Sequence, residues 1–161
     1  MKSSAQLGLV FGLSLMAGLG HWYVEARASG EDVEQGRSDP FAEAPLKENE
    51  VRLSQVWNQV GLVWIDARTR DSWKEDGLFG SINMSRLLEP SLEAQVEKHF
   101  ATLEPAYQIV IYCDGPDCSL SHELEEYLVG LELFEGRISV LKGGHDALRA
   151  AGLVRDPSPA R

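Results

Sequence analysis

The chain has 161 residues, and 25 acidic residues against 15 Lys and Arg give it a formal net charge of -10 at pH 7. This length suits one globular domain with an additional segment, and the hydrophobic content of 43% is ordinary for a packed core. The acidic balance argues against nucleic acid as a partner and against adsorption on an anionic membrane surface, because both need a basic face. Two cysteines are too few for a disulfide framework.

The first 28 residues differ in composition from the rest of the chain. From Leu7 to Val24 the sequence is mostly apolar and contains no Asp, Glu, Lys or Arg, over a length close to that of the shortest membrane-spanning helices. We expect residues 1–28 to anchor the protein in a membrane, with the folded domain outside the cytoplasm, which is the periplasm in a bacterium. Small residues around Arg27 leave an alternative, in which a signal peptide is cleaved and the domain is secreted.

A linker is expected to separate this segment from the folded domain. Residues 29–48 are rich in Gly, Ser, Pro and acidic residues and show little periodicity, so we predict a disordered acidic linker. Phe41 lies within it and is expected to make no contact with the domain. The domain itself is assigned to residues 49–156, and residues 157–161 are assigned to a short tail.

Strand and helix patterns alternate through the domain. The predicted strands or extended segments are Val51–Leu53, Leu62–Ile65, Ser81–Met84, Ile109–Tyr112 and Arg137–Leu141. The predicted helices follow Ser54, open at Asp71, span Leu92–Leu103, run from about Ser119 to Leu131, and span His145–Ala151. This alternation predicts a single α/β domain with a parallel sheet covered by helices on both faces.

One cysteine lies at the centre of this pattern. Cys113 ends the apolar strand 109–112, a turn with Gly115 and Pro116 follows, and Ser119 or Ser121 can cap the next helix. Sites of parallel sheets lie at the carboxyl ends of strands, where backbone N–H groups and a helix N-terminus stabilise a thiolate or an anion. Cys113 is thus a candidate nucleophile, and the alternative is a buried structural thiol.

Several ordered sequence landmarks resemble the rhodanese-like family. They are Ile65-Asp66-Ala67-Arg68, Trp73 with Gly77-Leu78-Phe79-Gly80-Ser81-Ile82-Asn83, Ile111-Tyr112-Cys113, Val140-Leu141-Lys142-Gly143-Gly144 and Ala151-Gly152. The resemblance covers about residues 50–155. It implies a sulfurtransferase whose strand-end cysteine, here Cys113, carries sulfane sulfur as a persulfide between a sulfur donor and a thiol acceptor. It also implies that neither a metal nor an organic cofactor is needed.

The site expected from these considerations is the loop that follows Cys113. Its backbone N–H groups could surround an anionic persulfide. The loop residues are Asp114, Gly115, Pro116, Asp117, Cys118 and Ser119. Asp66 and Arg68 are expected to support the site as an ion pair. His122 and His145 are expected to be exposed to solvent, and because their spacing with the cysteines matches no usual zinc pattern, we predict no metal site.

The loop departs from the family pattern. The family commonly has an arginine where this chain has Cys118, and Asp114 and Asp117 add negative charge, which disfavours an anionic donor such as thiosulfate. Cys118 could instead pair with Cys113 in a disulfide, or attack a persulfide on Cys113 and release the sulfur. Two hypotheses therefore remain: a tethered extracytoplasmic sulfurtransferase, and a non-catalytic binding or redox-sensing module that uses the cysteine pair.

Overall fold

The computed structural model describes residues 39–116, 118–134 and 137–154 of the chain. The expected anchor (1–28), the first part of the expected linker (29–38), the expected tail (157–161) and Asp117 lie outside these described residues. Within the described residues, no helix is long and apolar enough to cross a membrane.

In the described part of the chain, five strands form one sheet in which every neighbouring pair is parallel. The strands are β1 (Glu50–Val51), β2 (Leu62–Asp66), β3 (Ile82–Asn83), β4 (Gln108–Tyr112) and β5 (Ile138–Leu141). Their order across the sheet is β1-β5-β4-β2-β3, so β4 is the central strand. Its β-branched residues suit this place, because a central strand is buried on both faces.

Helices connect the strands, as parallel pairing requires. They are α1 (Leu53–Val56), α2 (Arg70–Asp76), α3 (Leu92–Leu103), α4 (Ser119–Gly130) and α5 (Gly144–Ala150). Thr69 caps α2 by accepting a hydrogen bond from the backbone N–H of Ser72, and α2 ends before Gly77. The predicted single α/β domain with a parallel sheet and helices is confirmed.

Alternate residues of β4 belong to two hydrophobic clusters. Ile109 and Ile111, together with Cys113 directly after the strand, belong to a cluster with residues of α3 and α4, among them Leu103, Leu124 and Leu128. Val110 and Tyr112 belong to a second cluster with residues of α1 and α5, among them Leu53, Val56 and Leu148. Because successive side chains of a strand point to opposite faces, we call these the α4 face and the α5 face of the sheet.

The described part of the expected linker packs against the domain. Residues 40–43 form a turn, and the ring of Phe41 lies so close to Gly143 that a Cβ atom at Gly143 would overlap it. Gly143 also has a φ angle of 80°, which favours glycine. The expectation that Phe41 makes no contact is therefore wrong: its ring joins the apolar cluster on the α5 face.

A buried amide organises the connection between β3 and α3. Gln95 donates hydrogen bonds from Nε2 to the carbonyl oxygens of Ser85 and Pro90 at 3.0 and 2.7 Å, and its Oε1 accepts one from the Ser85 backbone N–H at 3.0 Å. This connection has no regular structure, and such a side chain can supply its backbone with buried hydrogen-bond partners.

Candidate active site

Cys113 directly follows β4 and is buried, with 1% of its surface exposed. Its carbonyl oxygen accepts a 2.7 Å hydrogen bond from the backbone N–H of His145, and the Tyr112 carbonyl accepts one of 2.8 Å from Ala67. Gly144 has a φ angle of 54°, and a Cβ atom there would overlap the Cys113 carbonyl oxygen. The glycine turn after β5 thus approaches the end of β4 at a distance that only glycine allows.

A disulfide links Cys113 to Cys118, and their Cα atoms are 6.3 Å apart. The turn that brings them together includes a 3.3 Å hydrogen bond from the Cys118 N–H to the Gly115 carbonyl. Pairing was one of the alternatives left open by the sequence, and it depends on this tight turn, since a bridge needs Cα atoms within about 7 Å.

The bridge lies at the N-terminus of α4. Cys118 is the N-cap residue of α4 and makes no side-chain capping hydrogen bond, so neither Ser119 nor Ser121 is the cap that the sequence suggested. The Ser121 hydroxyl is instead buried, 3.5 Å from the Cys113 Sγ atom and 3.5 Å from the Cys118 carbonyl. The partial positive charge of the helix N-terminus and this hydroxyl both favour a thiolate at Cys113 once the bridge is reduced.

The other described residues of the expected loop are exposed or half-buried. Asp114 has 72% of its side chain exposed, Gly115 and Pro116 are half-buried, and Ser119 is exposed and hydrogen-bonded to Glu123 at 3.0 Å. Asp117 lies outside the described residues. Whether the backbone N–H groups of this loop hold an anion stays a prediction.

Asp66 and Arg68 form the expected ion pair at the end of β2. The Arg68 Nη2 and Asp66 Oδ2 atoms are 2.9 Å apart, and both side chains are at most 3% exposed. Burial alone lowers the pKa of Arg68, but hydrogen bonds and charge attraction from Asp66 and Asp76 outweigh it and raise that pKa. The guanidinium is a permanent positive charge, and its distance of 3.9 Å to Asp114 extends the ion pair toward the cysteine loop.

Asp76, at the end of α2, extends this network and was not singled out in the sequence. Its carboxylate accepts hydrogen bonds from Arg68 and Arg149, each at 2.9 Å, and lies 3.3 Å from the His145 ring. Burial raises the pKa of Asp76, but the hydrogen bonds from Arg149 and Arg68 outweigh burial, so its pKa lies below the usual value. The negative charge of Asp76, in α2, thus joins the segment after β2 to α5.

His145 is buried, with 1% of its surface exposed, so the expectation of a solvent-exposed histidine is wrong. Its Nε2 atom is 2.9 Å from the Asp76 carbonyl oxygen, and its ring stacks on Tyr112 with centroids 6.4 Å apart. His122 is partly exposed and lies 3.6 Å from Glu50. The two histidines therefore serve separate contacts, and among the described residues no group of three His, Cys, Asp or Glu side chains could hold a metal ion.

Tyr112, on the α5 face, supports the end of the sheet at which the cysteine loop lies. Its hydroxyl accepts a 3.0 Å hydrogen bond from the Leu78 backbone N–H and lies 3.3 Å from the Ser81 hydroxyl. Burial, with a smaller contribution from the charge of Asp66, raises the pKa of Tyr112 well above its ordinary value, so the phenol stays neutral. The residue is a structural support of the loop 77–81.

Fold and site together define a parallel α/β domain that presents a strand-end cysteine loop at the N-terminus of a helix. The family model of the rhodanese-like domain matches residues 49–151. The chain belongs to the rhodanese-like domain family.

Solved structures share this fold. The rhodanese-like domain from Anabaena sp. has a TM-score of 0.52 and 22% identity, with 71% of this chain and 87% of that chain covered. The As-Sb reductase from Leishmania major has a TM-score of 0.54 and 19% identity, covering 68% and 86%. A protein from Bacillus halodurans has a TM-score of 0.53 and 18% identity, covering 66% and 76%. No curated protein sequence matches the chain.

Proposed function

We propose that this domain is a sulfurtransferase in which reduced Cys113 accepts a sulfane sulfur as a persulfide and passes it to a thiol acceptor. The observation that carries the proposal is the position of Cys113, which lies at the carboxyl end of the central strand and beside the N-terminus of α4. The helix dipole and the Ser121 hydroxyl stabilise negative charge at that position.

The reaction begins with the reduced thiol pair. The Cys113 thiolate attacks the outer sulfur of a donor persulfide, the donor's S–S bond breaks, and the donor leaves as a thiolate. Cys113 then carries the sulfur until an acceptor thiolate attacks it and regenerates the Cys113 thiolate. No electrons are gained or lost by the protein in this cycle, and a disulfide between Cys113 and Cys118 blocks it.

The charges around the loop favour some donors over others. Asp114 is exposed beside the bridge, and Arg68, which lies 3.9 Å from it, already binds Asp66 and Asp76. A small dianion such as thiosulfate is repelled there by the charge of Asp114, and the positive charge of Arg68 is already neutralised by its carboxylate partners. We propose low-molecular-weight or protein persulfides as donors.

Intact-mass measurement tests the proposal directly. The full chain carrying Cys118→Ser, fully reduced and then offered glutathione persulfide, is expected to gain sulfur, and Cys113→Ser is expected to gain none. Thiosulfate at the same concentration is expected to load the protein far less. A Cys113→Ser variant that folds and gains sulfur as Cys118→Ser does contradicts Cys113 as the carrier.

The disulfide favours a second candidate function, a non-catalytic module that binds a partner or senses redox state through Cys113 and Cys118. One structural neighbour is an As-Sb reductase, so redox chemistry is known on this fold. This candidate predicts no sulfur gain from any donor. If the module binds its partner by contacts other than the Cys113 sulfur, a partner captured by the reduced chain is still bound by Cys113→Ser; if it senses redox state, Cys113→Ser abolishes the response to oxidation.

We further propose that residues 1–28 hold the domain at the outer side of a membrane. The apolar stretch 7–24 supports this, and the bridge is in keeping with it, because disulfides persist in oxidising compartments. Membrane fractionation with N-terminal sequencing tests the proposal. Recovery of a soluble chain that begins near residue 29 supports cleavage and secretion instead.

A further inference from the structure

We propose that the Cys113–Cys118 pair makes this domain a sulfane-sulfur reductase, which releases the sulfur loaded on Cys113 as hydrosulfide and ends in the bridged state. The inference rests on the proposed function, because the sulfur must first be loaded onto Cys113. It differs from that function in its product: a transferase gives sulfur to an acceptor thiol, whereas this activity reduces it.

The geometry places the second thiol where the reaction needs it. The bridge shows that the Cys118 Sγ atom reaches bonding distance of the Cys113 Sγ atom within the folded loop. Both ends of the loop are anchored at the same time, since the Cys113 carbonyl binds the His145 N–H and the Cys118 N–H binds Gly115. A persulfide on Cys113 presents the same Sγ atom to Cys118.

The step balances without an outside oxidant. The Cys118 thiolate attacks the Cys113 Sγ atom, a new S–S bond forms between the two cysteines, and the bond from Cys113 to the outer sulfur breaks. That sulfur leaves with the electron pair as hydrosulfide. The sulfane sulfur is reduced by two electrons, and the two cysteines are oxidised by two electrons to the disulfide.

Proximity favours this internal step over transfer to an external acceptor. Cys118 is already in the loop, where its sulfur reaches the Cys113 Sγ atom, whereas an acceptor thiol must first enter the site from solution. Asp114, 72% exposed, repels an approaching thiolate further. An intramolecular nucleophile also gains from its high effective concentration.

Turnover then needs a reductant, and the exposure of the two cysteines indicates how it acts. Cys118 is half-buried whereas Cys113 is buried, so an external dithiol reaches the Cys118 sulfur first. Attack there forms a mixed disulfide with Cys118 and expels the Cys113 thiolate, which the helix N-terminus and Ser121 stabilise. The second thiol of the dithiol then frees Cys118, and Cys113 is ready for another sulfur.

The experiment uses the reduced full chain, free of small thiols and without oxygen, with about one equivalent of glutathione persulfide. A sulfide-selective electrode follows hydrosulfide, and intact mass follows the protein. The unchanged protein is expected to release about one hydrosulfide per chain and to lose two hydrogens, and added dithiothreitol is expected to allow repeated turnover. Cys118→Ser is expected to gain one sulfur atom and to release at least tenfold less hydrosulfide.

The outcomes separate this inference from the proposed function. If the unchanged protein and Cys118→Ser both keep the added sulfur and release no hydrosulfide, the reductase is refuted and the transferase stands. If neither gains sulfur nor releases hydrosulfide, both proposals fail. Cys118→Ala serves as a second variant in case the serine impairs folding, and thermal unfolding of each variant checks that the domain is intact.

Discussion

At the residue scale, the site combines a pair of cysteines with a separate network of charged side chains around Asp76. Asp76 accepts hydrogen bonds from Arg68 and Arg149 and lies beside His145, so one carboxylate balances groups from α5 and from the segment after β2. Removing that charge takes from the buried Arg68 one of its two carboxylate partners at 2.9 Å, which costs more than losing a contact at the surface.

We expect Asp76→Asn to lower the free energy of unfolding by about 2 kcal/mol at pH 7, because charged hydrogen bonds to Arg68 and Arg149 are lost. Urea unfolding measures this. Asp146→Asn is the matched control, since Asp146 is half-exposed and lies 3.7 Å from the same Arg149, and it is expected to change the stability by less than about 0.5 kcal/mol. Equal losses in the two variants contradict this role of Asp76.

The lowered pKa of Asp76 also predicts a dependence on pH. A carboxyl whose pKa is lower in the folded state stabilises the fold above its unfolded pKa, here near the ordinary value of 3.8, and loses that contribution as the pH falls through the folded pKa. The unchanged protein is therefore expected to lose stability on acidification below about pH 4 more steeply than Asp76→Asn. Urea unfolding at a series of pH values tests this, and parallel curves for the two proteins contradict it.

The sequence predicted the cysteine at the end of the strand but not the contacts around it. The apolar run before Cys113 and the turn after it mark a strand-end cysteine, which the structure shows, although as half of a disulfide. Burial of His145 could not be predicted, because its partner Asp76 lies 69 residues away and the contact depends on how α2 and α5 meet. Pairing of Cys118 likewise depends on the turn geometry and not on spacing alone.

At the scale of elements, the glycine turn between β5 and α5 is a close contact that positions the loop. Gly144 combines a positive φ angle with the nearby Cys113 carbonyl, whereas Gly80, with a φ angle of 80°, has no neighbour within 4 Å of the position that a Cβ atom would take. Substituting each glycine in turn therefore distinguishes the cost of a positive φ angle, present at both, from the cost of steric overlap, present only at Gly144.

We expect Gly144→Ala to destabilise the domain by about 3 kcal/mol, because the left-handed conformation costs about 1 kcal/mol and the added methyl group also displaces the end of β4. Gly80→Ala is expected to cost only about 1 kcal/mol. Thermal unfolding compares the two variants. A similar loss for both shows that the contact with Cys113 contributes little.

The elements themselves were largely predictable, and their ends were not. The strand expected at Val51–Leu53 is found at Glu50–Val51, because Leu53 already begins α1 and the Arg52 N–H binds the Gln55 side chain at 2.7 Å. A local capping contact thus overrides the apolar pattern of three residues. The position of Phe41 was not predictable for a different reason: its packing on Gly143 is a contact between residues far apart in the sequence.

At the scale of the whole domain, the central sheet divides the interior into the α4 face and the α5 face. Ile138 and Leu128 belong to the first cluster, and Val56 belongs to the second. Side chains without shared partners have nearly additive effects on stability, whereas neighbours do not.

We expect Ile138→Val to cost about 1 kcal/mol and Val56→Ala about 2 kcal/mol, and the double variant to equal their sum within about 0.5 kcal/mol. Ile138→Val combined with Leu128→Ala is the comparison, because both residues lie on the α4 face, and it is expected to deviate more from additivity. Urea unfolding of the six proteins, including the unchanged chain, decides this. Strong coupling between Ile138 and Val56 contradicts independent faces.

The alternation along β4 has a consequence for how such a site can be inherited or redesigned. Cys113 belongs to the α4 face with Ser121 nearby, while Tyr112 and His145 join the charged network toward the α5 side. Chemistry and scaffolding thus depend on two successive residues at the end of β4, whose side chains lie on opposite faces of the sheet. Substitutions between Cys113 and Ser121 can therefore change the chemistry of the site, while the contacts of Tyr112 and His145 on the other side of the sheet are kept.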